Sequence, residues 1–221
     1  TGAVYSLELL EKIGNMAKDR GLWVIFDEIY ERLVYGNSSH YNILKVVPSL
    51  RESTLLVNGV SKAFAMTGWR IGYALGPQSL IEKMGSVQGH LTSNPAAVSQ
   101  WASVGAIREA EPEVEVMRQA FEARRELILS ELSRMPHIDV TAPEGAFYVF
   151  VDARKCYGKS YRGKLITDDI SLCRALLEGE FVAAVPGSAF LAPGYLRFSY
   201  SNSVEEITEG MKRFGRFLSE L

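Results

Sequence analysis

The stretch Asn58-Gly-Val-Ser-Lys-Ala-Phe-Ala-Met-Thr-Gly-Trp-Arg-Ile-Gly-Tyr73 is the most informative part of the chain. It follows the apolar run 54–57, which predicts a strand that ends in a loop. Lys62 is the only amine in it, Ser61 precedes this lysine, and Arg70 follows later. An amine can form an imine with a carbonyl group, and a guanidinium can bind a phosphate through two parallel hydrogen bonds. The stretch therefore suits a phosphorylated carbonyl compound, although spacing alone favours a solvated surface lysine.

Two segments of this stretch resemble a known motif. Ser61-Lys62 and Met66-Thr-Gly-Trp-Arg-Ile-Gly72 are similar to the pyridoxal-phosphate lysine motif of class I/II aminotransferases, which have fold type I. The similarity is greatest to the prokaryotic aspartate aminotransferase subgroup, and the whole chain matches the second half of the family in order. The resemblance implies that Lys62 carries pyridoxal 5'-phosphate and that Ser61 and Arg70 anchor its phosphate. Gly59 aligns with a phosphate-binding serine of some relatives, so one phosphate contact is expected to be missing or to come from the backbone.

The first five residues, Thr-Gly-Ala-Val-Tyr, resemble the end of the family's Asn-Pro-x-Asn-Pro-Thr-Gly loop. The resemblance implies that the chain begins in mid-protein. The missing part would carry the glycine-rich phosphate loop, the aromatic residue that stacks on the cofactor ring and an asparagine that bonds the ring's phenolic oxygen. A separate N-terminal portion of the same protein is therefore an expected partner.

A carboxylate and a phenol follow the strand that is predicted upstream of this stretch. The apolar segment 22–26 predicts a strand covered on both faces. Asp27 and Tyr30 come after it, at the end where open α/β sheets bind ligands. A carboxylate there could keep a pyridine nitrogen protonated, and capping of the next turn is an equally good interpretation of Asp27. The family's Asp-x-x-Tyr pattern implies that Asp27 pairs with the ring nitrogen and that Tyr30 bonds the ring's phenolic oxygen.

The order of apolar strands and amphipathic helices predicts an α/β protein with two domains. By the resemblance, residues 1–111 are the C-terminal part of a large cofactor-binding domain with a mostly parallel sheet. Short strands then alternate with helices, so residues 112–221 are predicted to form a small α+β domain that includes a long interdomain helix. Residues 157–164 are polar and contain glycine, which predicts a mobile loop.

The resemblance gives one arginine of the predicted small domain a role in substrate binding. Arg197, in Leu196-Arg-Phe-Ser199, matches the arginine with which the family binds the α-carboxylate of its substrate. Its neighbours predict a strand, in which Arg197 lies on the face opposite Leu196 and Phe198. An arginine fork can bind a carboxylate through two parallel hydrogen bonds. Without the resemblance, a structural surface ion pair is the commoner interpretation.

The composition excludes several other classes of protein. The net charge of −2 over 221 residues gives no reason to expect a nucleic-acid or membrane partner. Two cysteines, Cys156 and Cys173, make no disulfide framework, so a reduced, cytoplasmic setting is expected. His40 is interpreted as a surface loop residue. Because no second histidine or cysteine stands at metal-ligand spacing, no metal is expected.

The function implied by the resemblance is transamination between an L-amino acid, with aspartate favoured, and a 2-oxo acid, in a homodimer. Ser93-Asn94 resembles a pair that reaches the partner's active site, and a helix start with Pro95 in its first turn is an equally good interpretation. The same fold also supports lyases, decarboxylases and synthases that act on amino acids. A third alternative is a catalytically inactive fragment or interaction module that has kept the fold.

Overall fold

The computed structural model describes residues 1–221, which divide into two compact units. Residues 4–118 form one unit, and residues 1–3 together with 119–221 form the other. The division falls inside the longest helix, and the boundary predicted at residue 111 stays a prediction. None of the helices is both long enough and apolar enough to cross a membrane.

The unit of residues 4–118 is built from a small sheet and the helices around it. Its elements are α1 (Leu7–Asp19), β1 (Val24–Asp27), α2 (Ile43–Val46), β2 (Thr54–Gly59), β3 (Gly72–Leu75), α3 (Gln78–Leu91), α4 (Ala97–Glu109) and the start of α5 (Glu111–Leu132). The strands lie in the order β1-β2-β3, with β1 and β2 parallel and β2 and β3 antiparallel. This arrangement agrees with the predicted α/β class.

Strand β1 is covered on one face, whereas its apolar sequence predicted cover on both. Val24 and Phe26 pack against a core formed by Ala17 of α1, Ile43 of α2, and Val47 and Leu50, which follow α2. Ile25 points to the other face and is 75% exposed. The difference arises because the helices that follow β1 and precede it both lie on the same side of the strand.

The other unit contains the rest of α5, a four-stranded antiparallel sheet, a short two-stranded sheet and two further α-helices. Its elements are β4 (Asp139–Val140), β5 (Tyr148–Asp152), β6 (Ser160–Tyr161), β7 (Lys164–Leu165), α6 (Asp169–Glu180), β8 (Val185–Pro186), β9 (Tyr195–Ser199) and α7 (Val204–Ser219). The sheet has the order β4-β5-β9-β8. Leu196 and Phe198 of β9 face its core, where Phe198 meets Phe214 of α7 at 4.9 Å between ring centroids.

The segment that was predicted as a mobile loop contains a short hairpin. Strands β6 and β7 pair in it, and the turn between them places Arg162 and Gly163 at positive φ. Tyr161 is 2% exposed, and its hydroxyl donates to Glu180 Oε1 at 2.9 Å. The prediction of a loop was wrong for these residues because burial of one aromatic ring outweighs the polar composition around it.

Candidate active site

Asp27 stands at the carboxyl end of β1 with one carboxylate oxygen already engaged. Its Oδ1 accepts a hydrogen bond from the backbone N–H of Ile29 at 3.0 Å, whereas its Oδ2 makes no hydrogen bond. The backbone N–H of Glu28 donates to Val57 O at 2.8 Å, which extends the pairing of β1 with β2 past Asp27. The two interpretations of Asp27 are thus compatible, because capping of the turn uses one oxygen and leaves the other for a ligand.

Lys62 lies on the segment that follows β2, close to the residues that follow β1. Its Nζ is 5.8 Å from the centroid of the Tyr30 ring, and both residues are half-buried. This proximity follows from topology, because the carboxyl ends of two parallel strands meet at the same edge of a sheet. The structure therefore brings Asp27, Tyr30 and Lys62 to one end of the β1–β2 pair.

Ser61 and Arg70 leave the sheet at the same point. Strands β2 and β3 pair Gly59 with Gly72, and the backbone N–H of Val60 donates to Ile71 O at 3.4 Å. Ser61 and Arg70 are the next residues on the two segments, and the Ser61 hydroxyl makes no hydrogen bond.

Arg70 adopts a left-handed backbone conformation at φ 57° and ψ 47°. Its guanidinium is exposed and donates once, from Nη1 to Thr67 O at 2.9 Å. The remaining N–H groups are available to a ligand, because the fork carries five donors.

At Gly59 the backbone of β2 lies very close to the backbone of residues 71 and 72. A Cβ atom built on it would lie 2.8 Å from Ile71 O and 3.1 Å from Gly72 Cα. A serine at this position would not fit this backbone without a shift. A phosphate contact at this position would therefore have to come from the main chain.

A polar network is formed by Glu28, the residue that follows Asp27, and the sequence analysis did not predict it. Glu28 is 7% exposed, and its carboxylate accepts from His40 Nε2 at 2.6 Å and from Asn42 Nδ2 at 2.9 Å to each oxygen. The interpretation of His40 as a surface residue was wrong, because its ring is half-buried against this carboxylate. The available signal was the pair of acidic residues after a buried strand, since a second carboxylate there needs its own partners.

The same network brings together three side chains of types that can bind a metal. Ligand-type atoms of Glu28, Glu31 and His40 lie within 4.8 Å of one another. Both oxygens of Glu28 already accept hydrogen bonds from Asn42, and His40 also donates to one of them. We therefore describe the group as a hydrogen-bond network.

Arg197 belongs to the unit of residues 1–3 and 119–221. It lies in β9 opposite Phe150 of β5, on the face of the sheet away from Leu196 and Phe198, as predicted. Its guanidinium carbon is 4.1 Å from the centroid of the Phe190 ring and 4.3 Å from that of Tyr148. It makes no ion pair or hydrogen bond, so the alternative of a structural surface ion pair is not what the structure shows.

The residues of the first unit fit the cofactor that the resemblance implies. An amine, a carboxylate with a free oxygen and a phenol ring stand at one sheet end. A free hydroxyl and a guanidinium with free donors stand where β2 and β3 separate. The amine, the carboxylate and the phenol complement a carbonyl, a pyridine nitrogen and a phenolic oxygen, respectively. The hydroxyl and the guanidinium together complement a phosphate.

Comparisons with known proteins agree with this donor set. The family model described as aminotransferase class I and II matches residues 1–214. An aspartate aminotransferase of Streptomyces avermitilis is 44% identical over 220 residues, which are 100% of this chain and 54% of that relative. The crystal structure of the aspartate aminotransferase from Rhizobium meliloti has a TM-score of 0.95 at 38% identity, and the match covers 100% of this chain and 56% of that chain. The aromatic aminotransferase of Pyrococcus horikoshii has a TM-score of 0.89 at 35% identity, with 100% and 57% covered. The chain therefore spans little more than half the length of these proteins.

Proposed function

This chain belongs to the aminotransferase class I and II family, and we propose that the complete protein transfers an amino group between an L-amino acid and a 2-oxo acid. The observation that carries the proposal is the approach of Lys62 Nζ to the Tyr30 ring, at the end of the β1–β2 pair where Asp27 keeps one carboxylate oxygen free of hydrogen bonds. The activity is proposed for the complete protein because this chain spans 54% of the Streptomyces relative.

The cofactor of the proposed reaction is pyridoxal 5'-phosphate. When bound, it supplies a carbonyl that links to amines and a protonated ring that withdraws electrons. Lys62 is the residue that would hold the cofactor covalently, and its free amine would move a proton at the substrate Cα. Asp27, with one carboxylate oxygen free of hydrogen bonds, would keep a proton on the pyridine nitrogen, and Tyr30 would donate to the ring's phenolic oxygen.

The remaining site residues bind the charged ends of the cofactor and substrate. Ser61 and Arg70 bind the cofactor phosphate, because the Ser61 hydroxyl and most of the Arg70 N–H groups make no hydrogen bond within the chain. Arg197 binds the substrate α-carboxylate through its fork of N–H groups. Aspartate is the favoured amino donor, since the Streptomyces and Rhizobium relatives are named aspartate aminotransferases. The names of the relatives also favour transamination over lyase or synthase chemistry.

The proposed partners follow from the family as well. We expect a homodimer in the cytoplasm and a contribution from the N-terminal portion of the same protein. Ser93 and Asn94 are the residues of this chain that we expect near the partner subunit's active site. Neither a nucleic acid nor a membrane is proposed as a partner.

The test of the proposal uses the complete protein loaded with pyridoxal phosphate. Wild type, Lys62→Ala and the control Lys18→Ala are reduced with borohydride and analysed by mass spectrometry for a covalent cofactor adduct. Oxo-acid formation from aspartate and a 2-oxo acid is measured in parallel. We expect adduct and turnover in wild type and in the control, and neither in Lys62→Ala. An adduct in Lys62→Ala would overturn Lys62 as the residue that holds the cofactor.

A further inference from the structure

The two carboxylates behind the candidate site each tie one active-site segment to another part of the first unit. Glu28, next to Asp27, accepts from Asn42 Nδ2 at 2.9 Å to each oxygen. Asn42 is itself fixed, because its Oδ1 accepts from the backbone N–H groups of Leu44 at 2.9 Å and Lys45 at 3.3 Å, where it caps α2. The segment after β1 is thereby attached to the start of a helix.

Glu31 makes the second tie, between the two segments that carry the site. Asn58 donates from Nδ2 to Glu31 Oε1 at 2.9 Å, and its Oδ1 accepts from the backbone N–H of Gly59 at 2.7 Å. Glu31 directly follows Tyr30, and Asn58 is the second-last residue of β2, shortly before Lys62. This single side-chain contact therefore bridges the segment of Asp27 and Tyr30 and the segment of Lys62.

We propose that Glu31 and Glu28 are positioning residues. Glu31 holds the 27–31 segment against the 58–62 segment, Glu28 holds the 27–31 segment against the start of α2, and together they set the place of Lys62 relative to Asp27. The inference rests on the proposed function, because it assigns the ties a role in that site. It goes beyond that function, since neither carboxylate is placed on the cofactor or the substrate.

Physical reasons favour positioning over a stabilising role for these carboxylates. Removal of a carboxylate from water is costly unless hydrogen bonds satisfy it, and an apolar residue of similar size is often at least as stabilising. A carboxylate whose oxygens accept hydrogen bonds holds its partner groups at a fixed distance and orientation, because charge-assisted hydrogen bonds are short and strong. A displacement of about 1 Å at reacting groups can lower a rate on the order of a hundredfold.

The influence of these carboxylates also reaches the third strand of the sheet. Tyr73 of β3 lies opposite Asn58 in the register. Burial raises the pKa of Tyr73, and the negative charges of Glu31 and Glu28 raise it further. The charges of both carboxylates are therefore felt at the end of the sheet where the candidate site lies.

The test separates the hydrogen bond from the charge. Glu31→Met removes the acceptor for Asn58, whereas Glu31→Gln removes the charge and keeps an oxygen that can accept. Glu11→Met is the matched control, because Glu11 is an exposed residue of α1 in the same unit and makes no hydrogen bond or ion pair. All variants are made in the complete, cofactor-loaded protein. The measurements are kcat, KM for the amino acid, and amide hydrogen exchange of peptides that cover 27–31 and 58–62.

We expect Glu31→Met to lower kcat by about tenfold to a hundredfold with little change in KM, and to raise exchange in both peptides. We expect Glu31→Gln and Glu11→Met to stay within about threefold of wild type in kcat, which is the scatter of surface substitutions. Equal kcat and exchange in Glu31→Met and Glu11→Met would overturn the proposal. So would a Glu31→Gln variant as impaired as Glu31→Met, because charge rather than position would then matter.

The result is distinguishable from a failure of the proposed function. A wild-type protein without transaminase turnover would contradict the function, whereas the exchange measurement does not require turnover. Glu28 is buried, and its replacement can impair folding, so the conservative variant Glu28→Gln is measured in the same way. We expect the amide hydrogen exchange of the 27–31 peptide to change in this variant. Unchanged exchange in Glu28→Gln at wild-type kcat would remove Glu28 from the proposal.

Discussion

The guanidinium of Arg197 lies over the aromatic ring of Phe190, with 4.1 Å between the guanidinium carbon and the ring centroid. Tyr148 places a second ring at 4.3 Å from the same carbon. Contact with two rings fixes the direction of the side chain without using its N–H donors, because a cation is attracted by the face of a ring. The donors therefore remain free for a carboxylate.

Phe190→Leu should weaken this placement. We expect KM for amino acids to rise by about twofold to thirtyfold, which corresponds to the ~0.5–2 kcal/mol of a cation–π contact. The measurement is steady-state kinetics with aspartate. Leu191→Ala is the control, because Leu191 is adjacent and 96% exposed. A KM that is equal in both variants would contradict the role given to Phe190.

Arg197→Lys tests the kind of group that the arginine binds. Lysine keeps the charge but loses the planar fork, so we expect a loss of about 2–5 kcal/mol in kcat/KM. Every α-amino acid has an α-carboxylate, so aspartate and an aromatic amino acid should lose equally. A variant that lost one substrate and kept the other would show that Arg197 recognises the side chain.

Asp27→Asn should leave the cofactor bound and reduce turnover by several orders of magnitude. The amide oxygen can still accept from the backbone N–H of Ile29, which keeps the turn intact. The amide cannot supply the negative charge that holds a proton on the pyridine nitrogen. Cofactor content and kcat are measured together, and turnover within about tenfold of wild type, or ~1.4 kcal/mol, would refute the assignment.

Gly59→Ala tests the close approach of the two backbones. The added Cβ would lie 2.8 Å from Ile71 O, so the strands must shift, and we expect about 1–3 kcal/mol of destabilisation. Chemical denaturation measures the free energy of unfolding. Gly68→Ala is the matched control, because a Cβ there meets nothing within 4 Å and its φ is not positive. Equal stability of the two variants would show that the sheet end adapts freely.

The pH dependence of stability should show the contribution of Glu180, which is 2% exposed. Its ion pair and hydrogen bonds with Arg216, and a hydrogen bond from Tyr161, lower its pKa below the usual 4.5. A lowered pKa in the folded state stabilises the fold above pH 4.5, and this stabilisation is lost as the pH falls through the folded-state pKa.

Glu180→Gln should therefore unfold more easily than wild type at pH 7, and the difference should shrink as the pH falls below 4.5. Glu178→Gln is a suitable comparison, since Glu178 is exposed and pairs with Lys164 at 2.6 Å. Thermal unfolding across this pH range is the measurement. A difference between Glu180→Gln and wild type that stayed constant with pH would contradict the expectation.

The resemblance to class I/II aminotransferases is confirmed, and it rested on the motif from Asn58 to Tyr73 together with the match of the whole chain to the second half of the family. Local patterns also predicted elements well where their signals are short-range. Arg197 lies in a strand, as its neighbours predicted, and on the predicted face of β9. These features depend on residues within a few positions of one another, which a sequence displays directly.

Other features depend on which distant residues meet, and only the tertiary structure decided them. The sequence placed Asp27, Tyr30 and Lys62 after two strands, but the parallel pairing of β1 with β2 brings them to one edge. His40 was assigned to the surface because its neighbours are polar, and the fold instead directs it to the buried carboxylate of Glu28.

The residue types that can do the chemistry were thus determined by the sequence alone, because amine, carboxylate and guanidinium are properties of single side chains. Their partners were decided by tertiary structure. The tie between Glu31 and Asn58 and the placement of Arg197 over Phe190 join residues on different elements. Hydrogen bonds and ring contacts act over a few ångströms in space, and separation along the chain does not predict that distance.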